Sequence, residues 1–547
     1  MTEMTDNDVD VDVLVIGAGV VGIYALERVL AGGFTARVLE AGDGVGGVWY
    51  WNRYPSARFD SESYAYGYIH SKELFEKWAW KEEFATQPEI ESYLNFVVDH
   101  FDLRQHIQTG ERVVSAEWNE SGNRWDITTE NGMTVRARWV IAATGGLSVP
   151  NYPDLEGLAD FQGQAHHTGA WPHTPVDFTN KRVAIIGNGP SGAQLLPAIV
   201  DQVKSVDLYQ RTPTWTTPLN NAPIDEERRG WLTENFERIA GHLGSPANPT
   251  GFLHEPAGKF STEDSPQERQ AFFEKIWNSP GFAKLTSNYY DMTTNREVNL
   301  EFCEFLANKV RSIVKDPETA ERLIPKDHLF GAKRPPFVTN YYESFNKPAA
   351  SLISLRETPI VRVDATGIET TAGHREYDII VFATGFDFGT GALTRMGVRG
   401  TNGLDLTTDW EDGPSDFGGF SAHQLPNFFF PGGPHGAGGG NYPRYSQDQI
   451  DWITNTIVHA REHGFDRFEP TGEQQESWMT MIETLAPQSI FSPEHSHYYG
   501  ANVAGKPQKF LLNPGGRAKL HEMLAEVTAT ENYGGALTQI ADRVSAA

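Results

Sequence analysis

Two glycine clusters carry the first recognisable chemistry in this sequence. Gly17-Ala18-Gly19-Val20-Val21-Gly22 follows an apolar run at residues 11–16 and opens a stretch of helical periodicity over 20–30. In a strand–turn–helix unit of this kind, Gly17 permits the tight turn and Gly19 lets the backbone approach a pyrophosphate. Gly22 lets helix and strand pack closely, and the helix N-terminus faces the phosphates. Glu40 ends the next apolar run, 23 residues beyond Gly17, where a carboxylate accepts both ribose hydroxyls of a dinucleotide. The second cluster, Gly187-Asn188-Gly189-Pro190-Ser191-Gly192, repeats the plan 170 residues later. Its second strand ends Leu208-Tyr209-Gln210-Arg211-Thr212, with Arg211 near the position that Glu40 holds in the first unit. A carboxylate would repel a ribose 2′-phosphate and a guanidinium pairs with it, so this unit reads as an NADPH site.

Composition narrows what two such units can do. The single cysteine, Cys303, excludes a redox dithiol and reads as a buried packing residue. Electrons from NADPH must therefore leave a flavin for another acceptor, and oxygen is the expected one; the organic chemistry is then the cofactor's own. A net charge of −27 argues against nucleic acid or an anionic membrane as partner. No apolar run approaches the roughly 18 residues of a membrane span, and the acidic N-terminus does not resemble a secretory signal. A cytoplasmic enzyme acting on a small molecule is the expectation.

The elements that must position these residues follow from periodicity. Residues 36–39 and 205–209 read as the second strand of each unit, and residues 140–145 and 379–385 as strands ending in Ala-Thr-Gly. Residues 225–324 are rich in helix formers and poor in strand patterns. Pro431–Gly440 reads as a strand-to-helix loop against a ligand, and residues 508–516 as an extended piece before a helix from Arg517. The expected fold is α/β, with two Rossmann-like dinucleotide-binding domains and a helical insertion. The first domain takes residues 1–149 and 386–547 for FAD, the second 150–224 and 325–385 for NADP, and the insertion 225–324.

Between the two units runs Phe161-Gln-Gly163-Gln-Ala-His-His167-Thr-Gly-Ala-Trp171-Pro172. This segment resembles the fingerprint of the flavin-containing Baeyer–Villiger monooxygenases, matching at Phe161, Gly163, His167, Trp171 and Pro172. The resemblance extends over Gly46-Gly47-Val48-Trp49, Tyr54-Pro55 to Asp60, both Ala-Thr-Gly strands, Lys333-Arg334-Pro335 and Gly500-Ala501-Asn502. It thus spans essentially the whole chain.

The resemblance implies a monooxygenase that consumes NADPH and O2 and converts a ketone to an ester or lactone through a C4a-peroxyflavin. It implies Arg334 as the catalytic guanidinium, which stabilises anionic oxygen without giving up its proton, and Asp60 as the carboxylate that positions it. It implies flavin contacts from Glu40, Gly47, Trp49, Asp60, Tyr66, Val113 and Tyr442. For the nicotinamide nucleotide it implies Asn188, Gly189, Pro190, Ser191, Gly192, Ala193, Gln194, Arg211, Thr212, Lys333 and Arg334. His167 and Trp171 are read as pinning the linker in a helical or turned segment. His497 stands where better-known family members carry a Trp that contacts NADP. An imidazole there can still donate a hydrogen bond, but it buries less area and is expected to titrate near neutrality. His495 and His497 lack an evident third partner, so no metal is assigned. The alternatives are an S- or N-oxygenating flavin enzyme and a non-oxygenating FAD/NADPH redox sensor.

Overall fold

The first sheet grows from apolar runs at the start of the chain. In the computed structural model, which describes residues 9–488, 490–491 and 496–539, these become β1 (Val11–Ile16), β2 (Ala36–Leu39), β3 (Ile107–Gln108), β4 (Val113–Asn119), β5 (Arg124–Thr129) and β6 (Thr134–Ala142). A second sheet is built from β7 (Gln164–His167), β8 (Arg182–Ile186), β9 (Ser205–Gln210) and β10 (Ala350–Ser354). A small antiparallel sheet of β11 (Ile360–Val363), β12 (Gly367–Thr370) and β13 (Gly373–Glu376) precedes β14 (Ile379–Phe382), which returns to the second sheet between β8 and β7. The chain then rejoins the first sheet with β15 (Val398–Arg399) and β16 (Phe428–Phe429), which pair with β4 and β6.

Parallel pairing puts β1 between β2 and β6, and β8 between β9 and β14. Val13, Leu14 and Val15 are fully buried, as are Val183, Ala184 and Ile185. A strand covered on both faces has no reason to alternate, which is why these runs are continuously apolar. Each central strand delivers its glycine loop to a helix, Val20–Ala31 in the first unit and Pro190–Ile199 in the second. The second helix starts at Pro190, because proline suits the first helical turn.

Residues 225–324 carry six α-helices and no strand. Their packing is divided between two cores. Leu232, Ile239 and Leu243 join the core of the first sheet, whereas Phe273, Phe302 and Leu306 join that of the second. Cys303 is buried there, with its thiol against Asn299 Oδ1 at 3.3 Å. Residues 508–513 form no strand; the segment is held instead by Leu511 N–H to the Tyr498 carbonyl and Asn513 N–H to that of Ala437. His167 ends β7, and a tight turn follows in which Ala170 N–H donates to the His167 carbonyl at 3.0 Å.

Candidate active site

Gly17 and Gly22 of the first loop have no room for a side chain. Gly17 has φ of 100°, and a Cβ on Gly22 would lie 1.8 Å from the Gly17 carbonyl oxygen. Gly47, in the following turn, packs so near that its Cβ would meet Gly19 Cα at 2.7 Å. Glu40 sits at the end of β2 with its carboxylate accepting from Ala18 N–H (2.6 Å) and Gly42 N–H (2.7 Å). Burial raises the Glu40 carboxyl above its ordinary value, and these two N–H groups oppose that shift. Val113 lies on this side of the molecule, two residues after Glu111, whose N–H donates to the Glu40 carbonyl.

The second loop reproduces the turn but leaves its middle open. Gly187 has φ of 109° and Gly192 is pressed against its carbonyl, 2.0 Å from where a Cβ would be, yet a Cβ on Gly189 would meet nothing within 4 Å. Uncovered backbone at a helix N-terminus is able to accept a phosphate group. Pro190, Ser191 and Ala193 follow on the helix, and Gln194 faces the first unit, accepting from Tyr54 O–H at 2.8 Å and donating to the Arg58 carbonyl. Asn188 donates to Gln210 Oε1 and to the Thr212 carbonyl, tying the loop to the end of β9. Beyond β9 the sequence reading singled out Arg211 and Lys333; the structure adds Arg356. Burial lowers the Lys333 ammonium, with the charges of Arg211 and Arg356 adding to the effect and Asp327 opposing it. Arg356 escaped sequence reasoning because only the parallel register of β10 on β9, with Ser354 beside Gln210, brings it to Thr212.

Arg334 lies where the two units meet. Its Nη2 donates to Asp60 Oδ1, and its guanidinium carbon stands 5.4 Å over the ring of Phe282 from the helical insertion. Burial by itself would lower the Arg334 proton affinity, but Asp60, with Tyr498 and Tyr54 nearby, outweighs it and holds the guanidinium above its ordinary value. Burial raises the Asp60 carboxyl, against the pull of Arg334. The Arg334 side chain keeps 34% of its surface accessible, whereas Asp60 keeps 8%. Arg334 Nε is buried without a partner among the described residues, a donor left for a further group. Trp49 Nε1 donates to Tyr66 O–H at 2.8 Å, with Phe59 packed against both rings. Tyr442 opens the helix Tyr442–His463 with its hydroxyl donating to the Gly432 carbonyl across the glycine-rich loop.

Comparison with known proteins decides what this arrangement belongs to. Residues 14–242 match the family model described as "Pyridine nucleotide-disulphide oxidoreductase". The chain is 40% identical over 536 residues to the 2-oxo-Delta(3)-4,5,5-trimethylcyclopentenylacetyl-CoA monooxygenase of Pseudomonas putida, covering 96% of this chain and 97% of the relative. It is 36% identical over 521 residues to the Baeyer-Villiger monooxygenase of Pseudooceanicola batsensis, covering 95% and 94%. The chain belongs to the Baeyer–Villiger monooxygenases. It is accordingly an NADPH-dependent flavin monooxygenase, and its two nucleotide units serve FAD and NADP. The crystal structure of the OTEMO complex with FAD and NADP superposes with a TM-score of 0.92 at 37% identity, over 96% of this chain and 99% of that one. The structure of cyclohexanone monooxygenase from Rhodococcus sp. Phi1 bound to NADP+ gives 0.93 at 36%, over 97% and 99%. The phenazine N-monooxygenase PhzNO1 of Lysobacter antibioticus is 36% identical over 535 residues, covering 97% and 98%. These relatives are named as oxygenating enzymes, which sets aside the redox-sensor alternative.

His497 does not titrate near neutrality. Burial lowers its pKa to about 4, with the charges of Arg334 and Lys333 adding to the effect, so the ring is neutral at physiological pH. It packs edge-on to Phe388 at 5.6 Å and against Tyr498 at 4.3 Å. The segment that carries it is well seated. Lys506 Nζ reaches Asp387 Oδ1 at 2.6 Å, Asn502 donates to the Phe386 carbonyl, and Asn151 donates to the Asn502 carbonyl. His495 lies outside the described residues. In the linker, His167 is fully buried and meets Thr384 of the second Ala-Thr-Gly, while Trp171 N–H donates to the Trp51 carbonyl and its ring packs on Phe178. No described helix is long and apolar enough to cross a membrane.

Proposed function

We propose that this enzyme inserts one oxygen atom beside the carbonyl of a ketone, yielding an ester or lactone, with consumption of NADPH and O2 and release of water. The observation that carries the reading is the Arg334–Asp60 pair at the meeting of the two units. When bound, the flavin, reduced by NADPH, supplies the activation of oxygen. Arg334 sets a permanent positive charge at the site, where negative charge developing on reacting oxygen atoms is stabilised without loss of a proton. Asp60 orients that guanidinium and keeps it charged. The ring of Phe282 stands over one face of it. Neutral His497 adds a hydrogen-bonding ring beside Arg334 without a second charge.

The nucleotide assignments belong to the same proposal. Residues 1–149 and 386–547 hold FAD through Gly17, Gly19, Gly22, Glu40, Gly47, Trp49, Tyr66, Val113 and Tyr442, a reading supported by the return of β15 and β16 to the first sheet. Residues 150–224 and 325–385 hold NADP through the second glycine loop, Gln194, Arg211, Thr212 and Lys333, with 225–324 inserted. A single buried thiol and a need for NADPH fit the reducing cytoplasm.

The test is a panel of linear, cyclic and aryl ketones scored by product mass. A gain of one oxygen atom with ester fragmentation supports the reading, and the absence of any ketone-stimulated, oxygen-dependent NADPH consumption across the panel sinks it. Transfer of oxygen to nitrogen or sulfur is the second reading, favoured by the likeness to the Lysobacter enzyme; it predicts N-oxide or sulfoxide products and intact ketones.

A further inference from the structure

The glycine-rich loop that follows β16 is pinned by a buried histidine. His435 is 1% exposed and has φ of 57°, in the left-handed region that side chains seldom occupy. Three bonds hold it there. Its N–H donates to the Leu511 carbonyl at 3.0 Å, Nε2 meets the Phe510 carbonyl at 2.7 Å, and Nδ1 meets Asp416 Oδ2 at 2.6 Å. A carbonyl can only accept, so Nε2 carries a proton. Asp416 is fully buried, and its Oδ1 accepts from Gly419 N–H at 2.9 Å and from Trp478 Nε1 at 3.1 Å. Two donated bonds favour the carboxylate form, so the second proton lies on Nδ1 and the ring is an imidazolium. Burial alone would lower the His435 pKa, but Asp416 and the Phe510 carbonyl outweigh it and raise it. Asp416 is the one charged group that acts on the ring among the described residues; residues 510–511 face it with backbone carbonyls.

This pin joins the loop to the stretch of chain that carries His497. Leu511 N–H donates to the Tyr498 carbonyl at 2.8 Å and Asn513 N–H to that of Ala437 at 2.9 Å, and Tyr498 lies within electrostatic reach of Arg334. On its other side the loop is tied to the helix Tyr442–His463, where Gln449 accepts from Gly432 N–H and donates to the Gly436 carbonyl. Resting on the reading that NADP lies beside His497, we propose that His435 is a positioning residue: its charged pin on Asp416 seats the His497 segment over the nucleotide, and the seat loosens as pH rises. Loss of the Nδ1 proton leaves a lone pair facing Asp416 Oδ2, two acceptors at hydrogen-bond distance in a buried place, and these repel. The folded chain holds this proton more tightly than the unfolded one. The pin's contribution is therefore full below pH 6.5 and is lost as pH climbs through the raised value.

Asp416→Asn is the discriminating variant. An amide at this position donates from Nδ2 to a neutral Nδ1 while its Oδ1 still accepts from Gly419 and Trp478, so the bonds persist and the titration is removed. The experiment uses the FAD-loaded enzyme at pH 7 and pH 9, with NADP+ affinity by titration calorimetry and Tm as readouts that need no turnover. Across that interval the wild type is expected to lose about threefold more affinity than Asp416→Asn, the worth of one hydrogen bond, and to lose more Tm. His435→Ala, which removes both side-chain bonds, is expected to bind NADP+ weakly at both pH values. Parallel affinity profiles in wild type and Asp416→Asn overturn the proposal. If Tm separates the two proteins while affinity does not, the pin is charged but does not seat the nucleotide segment. Absence of NADP+ binding at pH 7 would bring down the nucleotide reading, and the proposal with it, whereas Tm would still report the charge of His435.

Discussion

Arg334 and Asp60 stand 274 residues apart in the sequence and meet through a hydrogen-bonded ion pair, with the ring of Phe282 closing the other face of the guanidinium. Three stretches of chain thus converge on one charge: the end of the first unit's early loops, the helical insertion and the Lys-Arg-Pro turn.

The pair can be broken from either side. Arg334→Ala is expected to leave reduction of FAD by NADPH measurable by flavin bleaching, while ester formation falls at least about a hundredfold. Arg334→Lys should not restore it, since an ammonium lacks the fork that Asp60 holds. Full ester yield from Arg334→Ala would mean that the guanidinium plays no part in the reaction.

Removal of Arg211 should separate the two nicotinamide nucleotides. Arg211→Ala is expected to raise KM for NADPH about tenfold or more and to change that for NADH little, because only the former carries the 2′-phosphate. Equal losses for both would remove the reason for assigning NADPH to this unit.

Alanine at two glycines should have opposite consequences. Gly22→Ala drives a Cβ into the Gly17 carbonyl and is expected to cost about 3 kcal/mol or more, with loss of soluble FAD-containing protein. Gly189→Ala meets nothing within 4 Å in the protein, so Tm should hold while affinity for NADP falls. A Tm drop in Gly189→Ala comparable to that of Gly22→Ala would contradict the open cradle.

His497 gives stability a pH dependence of defined sign. Its folded pKa of about 4 lies below the ordinary 6.5, so between these values the unfolded chain binds a proton that the folded one refuses. Its contribution is therefore full above pH 6.5 and is lost as pH falls toward 4. Partly buried His70 and buried His167 carry the same sign. The informative quantity is the difference between wild type and His497→Asn: the wild type should lose more Tm between pH 7 and 4.5. Parallel curves would show that the ring is not desolvated.

Legibility in the sequence followed the range of the interactions. Strand β2 falls at the residues expected from periodicity, and β1 and the two glycine loops are equally local features. The Arg334–Asp60 pairing came from family resemblance, because no spacing rule links residues 274 apart. The charge state of His497 was misread for a physical reason: it depends on burial beside Arg334 and Lys333, which one segment of sequence does not contain. Arg356 was invisible until the register of β10 on β9 was known. The insertion was recognisable as helical, but an amphipathic helix declares only that it has a buried face. Which core receives it, as when Leu232 goes to one and Phe302 to the other, is decided by the whole fold.

Strand β14 lies between β8 and β7, and β16 pairs with β6. During synthesis, then, β7 leaves the ribosome more than 200 residues before the strand that joins it to its sheet, since Gln164 awaits Ile379. At roughly 5–20 residues per second this is a wait of tens of seconds with an unpaired strand edge. A nascent chain released before β14 is complete lacks the strand that joins β7 to β8, so truncated products of this gene should be aggregation-prone and not half-functional.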